Sequence, residues 1–333
     1  TETEGSSFDF KTAEIAPGHH ILQAKAISAD GMVGYSEKVP ITVSAVKLPT
    51  MYHDDMLLQR NKPIRLGGEG KDGETVTASL CGTSATAEIS GGRWEIVLPP
   101  QPANKSTQLV LTTSDGVIIS FDNVAIGELM LCSGQSNMQY RMEMFRNLSA
   151  NADKDYPDIR LYNQTLTLYG AEKTDNPTGS WRIATVDQAL RFSAMGYLVG
   201  KDYYLSQNCE VPVGLIYAAY GGAGINAFLP RGANKYDSDL REDGATYYNT
   251  AVAPWKYFTL GHVMWYQGES NTQMNYPYEK VLTHYVDSYR SAFRDESLNF
   301  IMIQIPIYDY PGKYGGLRSG VGVREGQYHV SLH

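Results

Sequence analysis

The apolar run at residues 124–132 ends at a tight turn, Ser133-Gly134-Gln135, and a helical pattern begins directly afterwards at Ser136. This order predicts a buried strand, a turn and a helix. A serine at that junction lies at the carboxyl edge of a sheet, beside the unpaired N–H groups and positive dipole end of the helix. The position suits a nucleophile and the oxyanion that it generates, but serine also serves as an ordinary helix N-cap. This segment alone leaves both roles open for Ser136.

From residue 123 onward the chain alternates strands with helices. Apolar stripes with helical spacing cover residues 278–293 and, more weakly, 193–207. The predicted strands are 124–132, 159–162, 213–219, 262–266 and 300–305. Alternating elements of this kind predict a mostly parallel sheet with helices on both faces. A ligand site in such a sheet lies at the carboxyl ends of its strands.

Before residue 123 the chain has a different rhythm, in which short β runs alternate with turns. The predicted strands are 64–67, 75–80, 83–89, 94–98, 109–112 and 117–121. Strands at this spacing predict a β-sandwich. Farther upstream, runs at 21–27 and 38–43 flank a turn at 28–31 and resemble the late hairpin of an immunoglobulin-like or fibronectin-like module. We therefore predict a partial immunoglobulin-like β segment at 1–44, a β-sandwich domain at 45–122 and an α/β domain at 123–333.

Composition narrows the classes of partner. The net charge of −8 has no block of like charges, so we expect no nucleic-acid partner. No apolar run approaches the roughly 18 residues that a membrane span needs, so we expect no membrane insertion. Cys81, Cys132 and Cys209 have neither a C-x-x-C nor another metal-type spacing, and we expect mostly buried thiols and no metal site. The polar residues 1–4 do not form a signal peptide, so an exported protein would have lost its signal here.

One glycine-rich motif has to be weighed as a cofactor site. Residues 222–227, GAGINA, follow a predicted strand and fit the loose dinucleotide-binding fingerprint. That fingerprint needs a helix after the glycines, but Pro230 and Gly232 interrupt a helix almost at once. The sequence also has no P-loop lysine and no H-E-x-x-H zinc motif. We therefore expect no cofactor.

Three short blocks, each directly after a predicted strand, carry a resemblance to a known family. They are GQSNM at 134–138, YGGAG at 220–224 and WYQGESN at 265–271. Together they resemble the sialate O-acetylesterase family of SGNH-type hydrolases, over about residues 45–330. The resemblance implies a flavodoxin-like, three-layer α/β/α esterase domain with a parallel sheet, preceded by or packed against a β domain. It also implies an enzyme that cleaves ester bonds with a serine nucleophile.

The resemblance assigns roles to individual residues. Ser136 would be the catalytic nucleophile, and its own N–H would be one donor of the oxyanion hole. Gly222 would supply a second backbone donor and Gln267 a side-chain donor, and each lost donor costs about 10²- to 10³-fold in rate. Considered without the family, Gly222 is equally explained as a residue that permits the turn. Gln267 ends a strand too apolar to carry a polar side chain without a reason, which favours a functional role.

The remaining site residues are supporting ones. They are Gln135, Asn137, Glu269 and Asn271. Glu269 and Asn271 would bind substrate hydroxyls or hold the catalytic residues in place, although Glu269 is also explained as a solvated loop carboxylate. Arginines that would pair with a substrate carboxylate are Arg182, Arg231 and Arg241, each of which is equally explained as a surface charge.

The catalytic base is where this sequence departs from the family. The family carries an Asp-x-x-His block after the last strand, but none of the seven histidines here has an Asp three residues before it. His329 and His333 follow the last predicted strand, in a stretch that resembles the helix upstream of that block. Three interpretations follow: the natural protein continues beyond these residues, one of these histidines substitutes, or the protein only binds sugars. We adopt the first as our expectation.

The resulting prediction is a carbohydrate O-acetylesterase that removes acetyl groups from an acetylated sugar. Sialic acid is the substrate that the family name implies, and acetylated xylan or another plant glycan is the alternative. A non-catalytic glycan-binding relative is the competing hypothesis. From the glycan chemistry and the family, we expect a secreted or periplasmic protein.

Overall fold

The computed structural model describes residues 18–44, 46–165, 178–230, 245–272, 277–307 and 320–332. Its strands in these ranges are β1 (Gly18–Leu22), β2 (Lys25–Ile27), β3 (Val33–Tyr35), β4 (Val39–Val43), β5 (Val46–Lys47), β6 (Leu57–Gln59), β7 (Ile64–Gly70), β8 (Thr75–Leu80), β9 (Thr83–Glu88), β10 (Arg93–Leu98), β11 (Asn104–Thr113), β12 (Ile118–Gly134), β13 (Tyr156–Thr165), β14 (Thr178–Ala184), β15 (Val213–Ala219), β16 (His262–Tyr266) and β17 (Asn299–Met302). The helices are α1 (Ser136–Gln139), α2 (Arg146–Ser149), α3 (Val186–Arg191), α4 (Ala194–Ser206), α5 (Tyr278–Phe293) and α6 (Val321–Val330). Among these helices, none is both long and apolar enough to cross a membrane.

A mostly parallel sheet forms the second half of the molecule, as the alternating pattern predicts. Strand β12 pairs in parallel with β15 on one side and with β16 on the other. Strands β13 and β17 extend the sheet in parallel, and β14 closes one edge antiparallel to β13. The order across the sheet is therefore β14-β13-β15-β12-β16-β17. The α/β class is confirmed.

Both faces of this sheet are buried, and the side chains of β12 show how. Leu129 and Leu131 belong to one apolar cluster, which also contains Tyr285 of α5. Met130 and Cys132 belong to a second cluster, which contains Tyr197 of α4. Successive residues of a strand point to opposite faces, so helices cover the sheet on both sides. This two-sided burial explains why the sequence of β12 is apolar at nearly every position.

The N-terminal half of the molecule is built from antiparallel strands. Strands β9, β8, β11 and β12 form one antiparallel run, and β10, β7 and β5 form a separate sheet. The alternation in β8 behaves as predicted, because Val76, Ala78 and Leu80 are buried. They lie in the same apolar cluster as Leu66 of β7 and Ile96 of β10. Apolar side chains from both sheets thus share one core.

Strand β12 joins the two halves of the molecule. It runs without interruption from Ile118 to Gly134, so the predicted boundary at 122/123 falls inside a strand. Asn123 has a left-handed φ of 53°, which bends the strand without ending it. Asp122-Asn123 has the composition of a turn, and the sequence therefore wrongly predicts two separate strands there. The first half of β12 pairs with β11, and the second half is central in the parallel sheet.

The segment at 18–44 differs from its prediction. Residues 21–27 do not form one strand but belong to β1 and β2, which pair with β4 and β3 respectively. The ladder is interrupted at residues 23–24, where the Ala24 N–H and the Gln23 amide bond to Ser36. Ile27 is 59% exposed, so these strands have little apolar burial to hold them in one continuous hairpin. Residues 1–17 of the predicted segment lie outside the described residues.

Candidate active site

The three sequence blocks meet at the carboxyl edge of the parallel sheet. Gly134, the last residue of β12, is in register with Ala219 at the end of β15 and with Tyr266 at the end of β16. The chain segments that follow these positions therefore start side by side. Ser136, Gly222 and Gln267 lie within three residues of those ends. The predicted convergence of the blocks on one edge is confirmed.

The turn between β12 and α1 requires a glycine. Gly134 has a φ of +138°, and a Cβ at this position would lie 2.2 Å from the carbonyl oxygen of Tyr266. The next residue, Gln135, donates its N–H to the same Tyr266 carbonyl over 3.0 Å. The backbone of the turn is therefore packed directly against the end of β16. This contact fixes where α1 begins.

Ser136 is the first residue of α1, and Gln135 occupies the N-cap position. The alternative role of Ser136 as the helix cap is therefore excluded. The serine is partly exposed, and within the described residues no hydrogen bond reaches its Oγ. Its N–H is in the first helical turn, where N–H groups have no partner in the helix. Ser136 thus has an accessible hydroxyl beside an available backbone donor.

The loop after β15 approaches Ser136 closely. A Cβ placed on Gly221 would lie 3.7 Å from the Cβ of Ser136, and the Gly221 N–H donates to Gln139 Oε1 over 2.6 Å. Gly222 has a φ of +77°, and a Cβ there would meet no atom within 4 Å. The positive φ supports the role of Gly222 in the turn, and the open space beside it leaves room for a ligand. The two explanations of this glycine are compatible.

Gln267 is fully buried and lies at the centre of a hydrogen-bond network. Its Nε2 is within hydrogen-bond distance of Gln135 Oε1 (3.1 Å), the Ala223 carbonyl (3.2 Å) and Asn271 Oδ1 (2.5 Å). Its Oε1 accepts a hydrogen bond from the Tyr278 hydroxyl over 2.7 Å. The two amide hydrogens therefore have protein acceptors, and a bond from Gln267 to an oxyanion would replace one of them. The oxyanion role of Gln267 stays a prediction.

Gln135 and Asn271 extend this network to the neighbouring loops. Gln135 Oε1 also accepts the N–H groups of Gly268 and Ser270, over 3.4 and 3.2 Å. Asn271 Oδ1 accepts the N–H of Ile225 over 3.0 Å. Side chains from the ends of β12 and β16 thereby connect all three loops. Gln135 and Asn271, which were predicted as supporting residues, thus contact the backbone of neighbouring loops.

Glu269 is close to the nucleophile and is only partly exposed. Asn137, the residue after Ser136, donates its Nδ2–H to Glu269 Oε1 over 2.6 Å. Oε2 of the same carboxylate is buried and has no hydrogen-bond partner in the described part of the chain. Burial raises the pKa of Glu269 above its ordinary value, and the hydrogen bond from Asn137 opposes the rise only in part. The carboxylate is therefore not a freely solvated loop group.

Two side chains in the network carry no signal in the sequence. Tyr278 lies on α5 and fixes the orientation of the Gln267 amide through its oxygen. Gln327 lies on α6, and its Nε2 donates to the Gln267 carbonyl over 2.9 Å. Both are buried polar residues on otherwise amphipathic helices. A buried position within an apolar stripe is the only hint that a sequence pattern gives for such residues.

The histidines occupy other places. His329 on α6 pairs with Glu279, with 2.9 Å between Nδ1 and Oε2. His262 begins β16 and therefore lies at the opposite edge of the sheet, where its Nε2 is 3.3 Å from Glu128 Oε2. His333 is outside the described residues, as are Arg231 and Arg241. Arg182 is exposed on the edge strand β14. Within the described ranges, no imidazole is hydrogen-bonded to Ser136.

The amino edge of the sheet carries a second polar cluster, around Glu128. Its carboxylate accepts hydrogen bonds from Arg60 Nε over 2.7 Å and from Gln59 Nε2 over 2.9 Å. Burial alone would raise the pKa of Glu128, but the bonds from His262, Arg60 and Gln59 outweigh burial and lower it to about 2. Because Gln59 belongs to β6, this cluster ties the antiparallel half to the parallel sheet. Its position opposite Ser136 indicates a structural role.

In the described part of the chain, no group of three or more His, Cys, Asp and Glu side chains is placed to hold a metal ion. A cavity of about 360 Å³ is lined by residues that include Trp94, Tyr257 and Arg294. These residues lie on β10, before β16 and after α5, so the cavity is remote from Ser136.

Comparisons with known proteins show which family this chain matches. A family model described as "Carbohydrate esterase, sialic acid-specific acetylesterase" matches residues 127–318, a range that includes all three blocks. A sialate O-acetylesterase from Mus musculus is 25% identical over 304 residues, which cover 73% of this chain and 56% of that protein. Its Homo sapiens counterpart is 28% identical over 257 residues, with 67% and 48% covered. The chain spans about half the length of the curated relatives it matches.

A solved structure is also similar to this chain. It is a carbohydrate acetylesterase from Xanthomonas citri, with a TM-score of 0.78 and 24% sequence identity. The similarity covers 86% of this chain and 66% of the other. At this level of identity the comparison supports the fold.

Proposed function

The chain belongs to the carbohydrate esterase family of sialic acid-specific acetylesterases, and on that premise we propose that it removes acetyl groups from sugar hydroxyls through a serine acyl-enzyme. The proposal includes the finer fold of the family, an SGNH-type three-layer domain preceded by a β-sandwich. Burial of both faces of the parallel sheet supports the three layers. The core shared by β8 of one antiparallel sheet and by β7 and β10 of the other supports the sandwich.

The observation that carries the proposal is the convergence of three loops around Ser136. The serine opens a helix at the carboxyl edge, a Cβ placed on Gly221 would lie 3.7 Å from the Ser136 Cβ, and Gly222 leaves open space beside it. Acyl transfer needs a nucleophile together with donors for the developing oxyanion. The backbone N–H groups of Ser136 and Gly222 are the donors we propose first. Gln267 is the proposed third donor, and its present bonds keep its amide at the site.

The proposed reaction has two steps. Ser136 Oγ attacks the acetyl carbonyl and its proton passes to a base, which returns the proton to the sugar oxygen as the C–O bond breaks, so that the sugar leaves with a hydroxyl group and the acetyl–serine ester forms. Water then attacks that ester, acetate is released and Ser136 regains its proton. The oxyanion of each tetrahedral intermediate is stabilised by the same donors. For the base we propose a histidine, with His329 and His333 as the candidates within this sequence.

For the substrate we propose an acetylated glycan. The curated relatives are named sialate O-acetylesterases, which favours O-acetylated sialic acid. Acetylated xylan or another plant glycan is the alternative within the same chemistry. An extracellular or periplasmic location follows from where such glycans are found, and it is part of the proposal.

The test is release of acetate from p-nitrophenyl acetate and from O-acetylated sialic acid. The chain is compared with Ser136→Ala, and each is assayed with and without added imidazole, which can take the proton of the serine when no histidine does. Ser206→Ala, a serine at the exposed end of α4, is the matched control. We expect turnover by the chain and by the control, and none above background by Ser136→Ala. Equal rates for all three proteins, with imidazole present, would overturn the proposal.

A glycan-binding protein without turnover is the competing hypothesis from the sequence. In that case O-acetylated sugars bind equally to the chain and to Ser136→Ala, and imidazole restores no Ser136-dependent turnover. The same set of proteins therefore separates the two functions.

A further inference from the structure

An aromatic pair stands beside the proposed nucleophile. Tyr220, the residue directly before Gly221, stacks on Tyr247 with ring centroids 4.4 Å apart and an interplanar angle of 23°. Tyr247 is 8% exposed and Tyr220 is 38% exposed. Because Tyr247 covers one face of the Tyr220 ring, the exposed area of Tyr220 is on its other face and its edge.

The pair is anchored in the core. Tyr247 packs on Phe228 at 5.4 Å, and Phe228 packs edge-on against Trp265 of β16 at 5.3 Å. Phe228 and Trp265 are fully buried. The Tyr247 N–H also donates to the Ala227 carbonyl over 2.8 Å. Tyr220 is thus the outer end of a continuous row of aromatic rings, which restricts its movement.

Backbone contacts place this ring next to the reacting centre. The Tyr220 N–H donates to the carbonyl of Gly134 over 3.0 Å, two residues before Ser136. The following residue, Gly221, is close to Ser136, because a Cβ placed on Gly221 would lie 3.7 Å from the Ser136 Cβ. A molecule bound at Ser136 therefore lies beside the loop that carries Tyr220.

The chemistry of such a ring selects the ligand. An aromatic face that is held rigidly and exposed buries apolar area against a flat apolar surface, and the phenol hydroxyl at its edge stays solvated. A pyranose ring has a matching surface, because its C–H bonds form an apolar face while its hydroxyls point outward. A small alkyl acetate has no such face.

We propose that Tyr220, supported by Tyr247, is the stacking platform for the sugar ring of the substrate, and that the site therefore selects acetyl esters of pyranose sugars over simple alkyl acetates. This inference rests on the proposed esterase function for its kinetic test. It deepens that function by assigning the residue that binds the sugar rather than the acetyl group.

Another exposed tyrosine provides a matched control. Tyr140 follows α1 and is 41% exposed, close to the exposure of Tyr220. Its ring meets Phe145 edge-on at 81° and is not stacked on another ring. Tyr140 is the same type of residue as Tyr220 and has a similar exposed fraction, but it does not form a platform.

The experiment compares Tyr220→Ala, Tyr220→Phe and Tyr140→Ala with the unchanged chain, using a methyl O-acetyl-pyranoside and ethyl acetate as substrates. Imidazole is present throughout. We expect Tyr220→Ala to lower kcat/KM for the pyranoside by roughly 3- to 10-fold, mainly through KM, and to leave ethyl acetate unaffected. Tyr220→Phe keeps the ring and is expected to keep most of the activity, and Tyr140→Ala is expected to match the unchanged chain. An equal loss on both substrates, or no loss on the pyranoside, would refute the platform.

A binding measurement separates this proposal from the esterase function. In a Ser136→Ala background, calorimetric titration with the methyl O-acetyl-pyranoside is expected to give a Kd that Tyr220→Ala raises by a similar factor. If no protein turns over substrate but this difference in Kd remains, the esterase function fails and the platform stands. If Ser136-dependent turnover is found and Tyr220→Ala leaves Kd unchanged, the platform fails alone.

Discussion

The side-chain amide of Asn137 donates a hydrogen bond to the carboxylate of Glu269, with 2.6 Å between Nδ2 and Oε1. This bond joins the loop after β16 to the first turn of α1, one residue from Ser136. The second carboxylate oxygen of Glu269 is buried without a partner in the described part of the chain. Burial therefore disfavours the charged form of this carboxyl group and raises its pKa.

Glu269→Gln is expected to change how stability depends on pH. The folded-state pKa of Glu269 is raised above the ordinary value of 4.5, so ionisation costs more in the folded than in the unfolded chain. Its contribution to the free energy of unfolding is greatest below pH 4.5 and falls as pH rises through the folded-state pKa. The glutamine variant lacks this fall and can still accept from Asn137. Urea unfolding is expected to give the variant a higher free energy of unfolding, relative to the unchanged chain, at pH 7 than at pH 4.

An exposed control, Glu210→Gln, is expected to show no such trend. A pH-independent difference for Glu269→Gln would contradict the assignment.

Glu128→Gln is expected to destabilise the junction between the two halves. Here the folded-state pKa is lowered to about 2, so the stabilisation is present above pH 4.5 and is lost as pH falls from 4.5 towards 2. The expected loss at pH 7 is on the order of 3 kcal/mol, because Arg60 is left without its buried partner. Chemical denaturation is expected to show this loss at pH 7 and a much smaller one near pH 2. A loss of the same size at both values would mean that charge is not the cause.

Tyr278→Phe is expected to reduce turnover without changing substrate affinity. The change removes the hydroxyl that donates to Gln267 Oε1, so the orientation of the Gln267 amide then depends on the contacts of its Nε2. The expected cost in stability is about 1–2 kcal/mol, together with a lower kcat at unchanged KM. Tyr289→Phe removes a comparable buried bond, from its hydroxyl to the Phe228 carbonyl over 3.1 Å, and is the control. Equal kcat values for both variants would show that Tyr278 has only a structural role.

Alanine substitutions at two site glycines are expected to have different outcomes. At Gly134 a methyl group would lie 2.2 Å from a backbone oxygen of β16, so Gly134→Ala is expected not to reach the native fold. At Gly222 there is open space, and only the positive φ is penalised, by about 1–2 kcal/mol. Gly222→Ala is therefore expected to fold with a lower Tm, and its methyl group to reduce acetate release. Thermal melts followed by circular dichroism distinguish the two cases, and similar melts for both would disprove the packing argument.

Much of the parallel sheet is predictable from the sequence. Strands β15 and β16 and helix α5 have the predicted bounds, because strands buried on both faces give unbroken apolar runs and a surface helix gives a regular stripe. The continuity of β12 is not predictable, because Asp122-Asn123 has the composition of a turn. The pairing with β11 on either side of these residues keeps that segment extended.

The candidate site is predictable in outline only. The place of Ser136, Gly222 and Gln267 at one edge follows from strand ends in a parallel sheet. The partners of the Gln267 amide do not, because Tyr278 and Gln327 reach it from helices that the sequence pattern marks only as amphipathic. Sequence periodicity gives the face of a helix, but it does not give the direction of a single hydroxyl or amide.

The continuous strand β12 also couples the unfolding of the two halves of the molecule. Its N-terminal part pairs antiparallel with β11 and parallel with β6, and its C-terminal part pairs with β15 and β16, so the two halves of the molecule share one strand. Loss of β11 would leave part of the strand that ends at the turn before Ser136 without its antiparallel partner, and melting of either half would propagate into the other. We therefore expect one cooperative unfolding transition. The antiparallel strands lie upstream of the family match, yet they stabilise the strand that positions Ser136.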